Sequence, residues 1–138
     1  MADEVKDVVE GDGYAVANLD GLGDGPGFRK VRRGLGVTAF GVNAIELPPG
    51  YETGRHFHDE QQELYFVHSG TVEMRFEDGT IHRMEPGTAA RVDAATVRGV
   101  ANVGDEDAVI LVAGGKDGYV GRDGRMPEGE QRGGGPVE

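Results

Sequence analysis

Apolar residues along this chain recur mostly at every second position, in runs of four to eight residues, and hardly anywhere at the three-and-four spacing of an amphipathic helix. That pattern predicts strands at Tyr14 to Asn18, Val37 to Leu47, Arg55 to His58, Glu63 to Ser69 and Val72 to Glu77. It continues at Thr80 to Met84, Ala89 to Val92, Val97 to Asn102 and Ala108 to Ala113. Turn formers separate the runs: LPPG, HSG, EDG, EPG and VGDED. The stretch VEMRFEDGTIHRM reads as one hairpin, with Asp78-Gly79 supplying the positive φ of a tight primed turn. So many short strands predict an all-β protein, a sandwich or a closed barrel.

The ends carry a different pattern. Residues 1–12 are charged and poor in apolar side chains, which predicts a flexible N-terminal segment. From Gly114 onward nine of 25 residues are Gly, and only Tyr119 and Val120 have apolar surface to dock back. The expected organisation is one β-barrel domain over 13–120 and a Gly-rich, disordered tail over 121–138. A chain of 138 residues can bury such a core without staples.

Composition narrows the chemistry. With no Cys, disulfides, thiolate metal sites and thiol catalysis are excluded, and His, Asp and Glu remain as metal ligands. The formal charge of -11 opposes binding to nucleic acid or an anionic membrane, and RKVRR at 29–33 is too short to reverse that. The acidic N-terminus lacks the form of a secretory signal, and the longest apolar run, AVILVA at 108–113, is far short of the roughly 20 residues of a membrane span. A soluble, cytoplasmic protein is expected. The loop DGLGDGPG at 20–27 matches neither the P-loop nor the dinucleotide-binding spacing.

The chain has four His residues, and two of them fall in PPGYETGRHFHDEQQELYFVHSG. On a strand His56 and His58 share a face, and a turn through Asp59 to Gln62 brings Glu63 across from them. Two imidazoles and a carboxylate are three of the ligands that a first-row divalent metal takes. The frame, Gly50, five residues, His56, one, His58, four, Glu63, six, Gly70, resembles the first conserved motif of the cupin superfamily. The resemblance covers about residues 36 to 113, and the short chain with its ending GGKDGYVGRDG is similar to bacterial single-domain cupins. It implies a jelly-roll β-barrel with His56, His58 and Glu63 as metal ligands, Gly50 and Gly70 as turn glycines, and a homodimer in which residues before Gly36 supply an exchanged or added strand.

The second cupin motif is incomplete. Gly87 and Asn102 occupy its ends, but Asp93 stands at its proline, Ala95 at its glycine and Arg98 at its histidine, so the fourth ligand is missing. His68, an odd number of residues from Glu63, is predicted to face away from the site; the facing of His82 is ambiguous, and Arg55 and Arg91 are read as surface charges. A guanidinium cannot coordinate a cation, and at about 6 Å from a divalent ion its repulsion is of order 5 kcal/mol. Three arrangements are open: Arg98 turned outward, Arg98 inward with an anion bridging it to the metal, or a metal-free site in which Arg98 and the histidines bind a small anion.

The expected function is metal-dependent action on a small organic, anionic metabolite, with Fe, Mn, Ni or Zn as cofactor and dioxygenase- or isomerase-like chemistry. Arg98 is expected to orient an acid substrate. Tyr65, on the face of Glu63, either offers its hydroxyl or is a core residue. The alternative is a non-catalytic small-molecule-binding or sensing domain.

Overall fold

The computed structural model describes residues 4–127. Residues 1–3 of the expected flexible segment and 128–138 of the expected tail lie outside the described residues. Among the described residues twelve strands and one short helix follow in order: β1 (Val9–Gly11), β2 (Tyr14–Val16), β3 (Gly27–Arg29), α1 (Val31–Leu35), β4 (Gly41–Leu47), β5 (Phe57–His58), β6 (Gln62–Ser69), β7 (Val72–Phe76), β8 (Ile81–Met84), β9 (Ala89–Val92), β10 (Arg98–Asn102), β11 (Ala108–Gly115) and β12 (Gly124–Arg125). One turn of 3-10 helix lies at Leu19–Gly21. No helix among the described residues is long and apolar enough to cross a membrane.

A five-stranded sheet in the order β3-β4-β11-β6-β9 and a three-stranded sheet in the order β10-β7-β8 share one core. Alternation builds it: Tyr65 and Val67 of β6, Ala108 and Ile110 of β11, and Ile45 and Leu47 of β4 turn inward to meet Val72, Met74 and Val100 of the other sheet. The segment before β5 joins the smaller sheet through backbone hydrogen bonds, with His56 and Arg98 exchanging both at 2.9 Å. This places β5 beside β10, and β12 pairs with β5 in turn.

Elements that alternation did not signal cover the barrel. β3 adds to β4 within the same chain, and Leu22 and Val31 pack with Ala44 on the outward face of the larger sheet. β1, inside the segment read as flexible, pairs with β2, which lies within the strand expected at Tyr14 to Asn18. Residues 121–127, assigned to the tail by their glycines, continue the ordered chain instead, because Asp123 is buried and β12 pairs with β5.

The β7–β8 hairpin forms as expected but with a longer turn. Phe76 and Thr80 close a three-residue loop with only Gly79 at positive φ, 88°, whereas a two-residue primed turn also needs positive φ at Asp78. Gly50 and Gly70 have φ of 82° and 78°, in keeping with the turn roles that the resemblance implied.

Candidate metal centre

The pairing of His56 with Arg98 fixes one wall of the site, and the hydrogen bond from His58 N to Ala94 O, 2.7 Å, fixes the next turn of the chain. Both imidazoles then fall on one face, with ring centroids 5.1 Å apart and planes at 85°. Glu63 enters from β6, held between Gly114 of β11 and Val92 of β9. One ligand atom each from His56, His58 and Glu63 lies within 4.8 Å of the others. The sequence thus brings its three candidate ligands together as spacing and parity required.

Hydrogen bonds set the tautomers. His58 Nδ1 donates to Asp123 Oδ1 at 2.8 Å, and His56 Nδ1 donates to the Gly54 carbonyl at 3.2 Å. Each neutral ring therefore keeps its lone pair on Nε2. His58 Nε2 is buried without a hydrogen-bond partner, 3.3 Å from Glu63 Oε1. A buried polar atom in that state is costly unless something else fills its coordination.

Arg98 is fully buried and points inward, which removes the outward arrangement. Its Nη2 donates to Glu63 Oε1 at 2.7 Å, its Nε to the Tyr65 hydroxyl at 3.2 Å, and its Nη1 to the Thr96 carbonyl at 2.7 Å. The Tyr65 hydroxyl donates to the same Glu63 oxygen at 2.8 Å. The guanidinium is spent on the protein and is not among the groups lining the cavity beside the histidines. It holds Glu63 and does not face the cavity, in contrast to the expected contact with a substrate acid.

Protonation follows from these contacts. Burial raises the Glu63 carboxyl, but His58 and Arg98 outweigh it and hold the group at about 2. Burial lowers both histidines; it prevails at His56, while Glu63 and Asp123 overcome it at His58 and raise that ring above its ordinary value. Burial, reinforced by Glu63, pushes the Tyr65 hydroxyl far up, so it stays a neutral donor. Asp123 lies well below the carboxylate range, because donors from Gln61, Glu60 and His58 outweigh its burial.

Asp123 is the site residue that sequence reasoning missed. Besides His58 it accepts from the Glu60 and Gln61 amides at 2.7 and 3.0 Å and from Gln61 Nε2 at 2.6 Å. Its only sequence signal is the stretch GYVGRDG, which is similar to the endings of bacterial single-domain cupins. His68, His82 and Arg91 are exposed, in line with surface positions. Arg55 is half-buried.

Residues 43–114, just over half of the chain, match the Cupin domain family. The chain is a cupin. Solved structures agree. This cupin is similar to a sugar phosphate isomerase of the cupin superfamily from Silicibacter pomeroyi at 26% identity, covering 82% of this chain and 71% of that one with a TM-score of 0.60. It is similar to DMSP lyases at 26% identity and a TM-score of 0.56, over 64% of this chain but only 44% of that one. An uncharacterised Klebsiella pneumoniae protein with a double-stranded beta-helix domain shares the fold at 24% identity and a TM-score of 0.54, over 57% and 69% of the two chains. No curated protein matches the sequence.

Proposed function

We propose that this cupin holds a divalent first-row transition metal on Nε2 of His56, Nε2 of His58 and the carboxylate of Glu63, and acts on a small organic metabolite in the adjoining cavity. The observation that carries the reading is the pair of imidazoles, each with Nδ1 committed to an acceptor and Nε2 left over, in a cluster whose third member is an ionised carboxylate. The residues fit the ion: His58 Nε2 has no hydrogen-bond partner and lies 3.3 Å from the Glu63 carboxylate, a position that a proton or a cation satisfies.

When bound, such a metal supplies Lewis-acid polarisation, or oxygen chemistry if it is iron. The chain's own residues do the rest. Asp123 orients His58, Arg98 and Tyr65 together orient Glu63, and a cavity of about 290 Å³ offers Asn43, Ile45 and Val112 beside the cluster. Arg98 is a positioning residue in this reading, and its charge is balanced by Glu63 before any ligand arrives. The isomerase and lyase names of the similar structures support turnover of a small molecule here.

The thermal midpoint of chelator-treated protein tests the reading. Mn(II), Fe(II), Ni(II) or Zn(II) at a hundredfold excess over its dissociation constant should add about 2.7 kcal/mol of stability, an effect absent in His56→Ala. No rise with any of the four ions would contradict it.

A further inference from the structure

Four cationic side chains that the metal centre does not use line the same cavity: Lys30, Arg32, Arg33 and Arg122. Lys30 follows β3, Arg32 and Arg33 lie on α1, and Arg122 precedes β12, so all four are outside residues 43–114 that match the family. None of them forms an ion pair with a described residue. By contrast Arg29, Arg75, Arg83, Arg98 and Arg125 are each paired with an acid. The chain carries 25 acidic residues against 14 Lys and Arg, so four cations lining one cavity without a paired carboxylate run against the composition.

The helix that carries two of these cations is anchored, and one guanidinium is held on an aromatic ring. Val31 is buried against the outward face of the larger sheet and anchors α1, while the Arg32 guanidinium lies 4.1 Å from the centroid of the Tyr119 ring. The two acids that line the cavity, Glu63 and Asp123, are already occupied by Arg98 and by His58 with the 60–61 amides. A ligand therefore meets a cavity with uncompensated positive charge on the flanking segments and a polar cluster on the barrel strands.

We propose that Lys30, Arg32, Arg33 and Arg122 form an anion subsite, and that the ligand of this cavity is a phosphate monoester of a small metabolite. Its phosphate sits on the cationic group and its uncharged end turns toward His56, His58 and Glu63. Three Arg forks and an ammonium suit a dianion with three terminal oxygens, whereas a single carboxylate would leave most of these donors without a partner. The assignment rests on the cavity being the ligand site, as under the proposed function, but not on the metal.

Calorimetric titration with glycerol 3-phosphate, run beside succinate and beside an Arg33→Glu, Arg122→Glu variant, tests it. Both positions are exposed, so the variant should keep the wild-type thermal midpoint and metal content. The expected result is saturable binding of glycerol 3-phosphate, weakened by salt, preferred over succinate, and reduced at least about tenfold in the variant. Absence of binding, equal binding of succinate, or unchanged affinity in the variant would overturn it. A wild type without metal that still shows the phosphate preference and its loss in the variant would uphold the subsite and count against the metal centre alone.

Discussion

Asp123 accepts the Nδ1 proton of His58 at 2.8 Å, across 65 positions of sequence. One carboxylate thereby joins the C-terminal strap to a candidate ligand, because the same group also takes the Glu60 and Gln61 amides. Metal affinity and docking of the strap should be lost together. Asp123→Ala is expected to weaken metal binding by about 10- to 100-fold and to strand several buried donors. Competition with a chromophoric chelator measures the first effect and the thermal midpoint the second; unchanged affinity would remove Asp123 from the centre.

Arg98 and Glu63 form the most deeply buried ion pair at the site. Arg98→Met leaves Glu63 buried without its partner and should cost about 3–5 kcal/mol in denaturant unfolding. Arg98→His removes the guanidinium that orients Glu63, and should weaken metal binding by about tenfold or more. Tighter binding in Arg98→His would show that relief of charge repulsion outweighs the positioning of Glu63.

The stability of the metal-free protein should depend on pH through the groups of this cluster. Glu63 is lowered from 4.5 to about 2, so its contribution is present above 4.5 and lost as pH falls toward 2. That contribution is up to about 3 kcal/mol. His58 is raised above 6.5, so its contribution is complete below 6.5 and lost as pH rises through the raised value. His56 is lowered below 6.5 and contributes the opposite trend, stability present above 6.5 and lost as pH falls, and Asp123, also lowered, adds to the acid-side loss. Unfolding free energies from about pH 3 to about pH 9 in chelator-treated protein should therefore fall steeply below roughly 4.5, while the two histidines oppose each other near neutral pH. Glu63→Gln should make the acid-side fall shallower and His58→Ala should remove the alkaline-side loss; a profile unchanged in both variants would contradict the assignment.

The turn at Gly70 tests the strand framework. Its φ is 78°, and a Cβ there would lie 2.6 Å from Ala108 Cα. Gly70→Ala should therefore destabilise by more than about 1 kcal/mol, measured by denaturant midpoint. A neutral result would mean that the β6–β7 turn relaxes freely.

How much of this was legible in the sequence depended on how far each residue's partner lay along the chain. Alternation located every strand of the two main sheets except β3, since Tyr65 and Val67 turn inward while Leu64 and Phe66 stay outside. His56, His58 and Glu63 were legible because spacing and parity are local. Arg98 was marked as anomalous, but its direction depended on register against His56, which periodicity does not fix. Asp123 was not legible, since a single acid among glycines looks like tail until β12 pairs with β5. Lys30, Arg32 and Arg33 read as a short basic run in an acidic chain, and only the fold of the flanking segments onto the barrel brings them to the cavity with Arg122.

Elemental analysis of untagged protein, purified without chelator beside His58→Ala, decides whether His56, His58 and Glu63 hold a metal. Close to one transition-metal ion per chain is expected in the wild type, with loss of that ion in the variant while the barrel stays folded. Metal retained by the variant, or a wild type that neither carries metal nor takes it up on reconstitution, would contradict it.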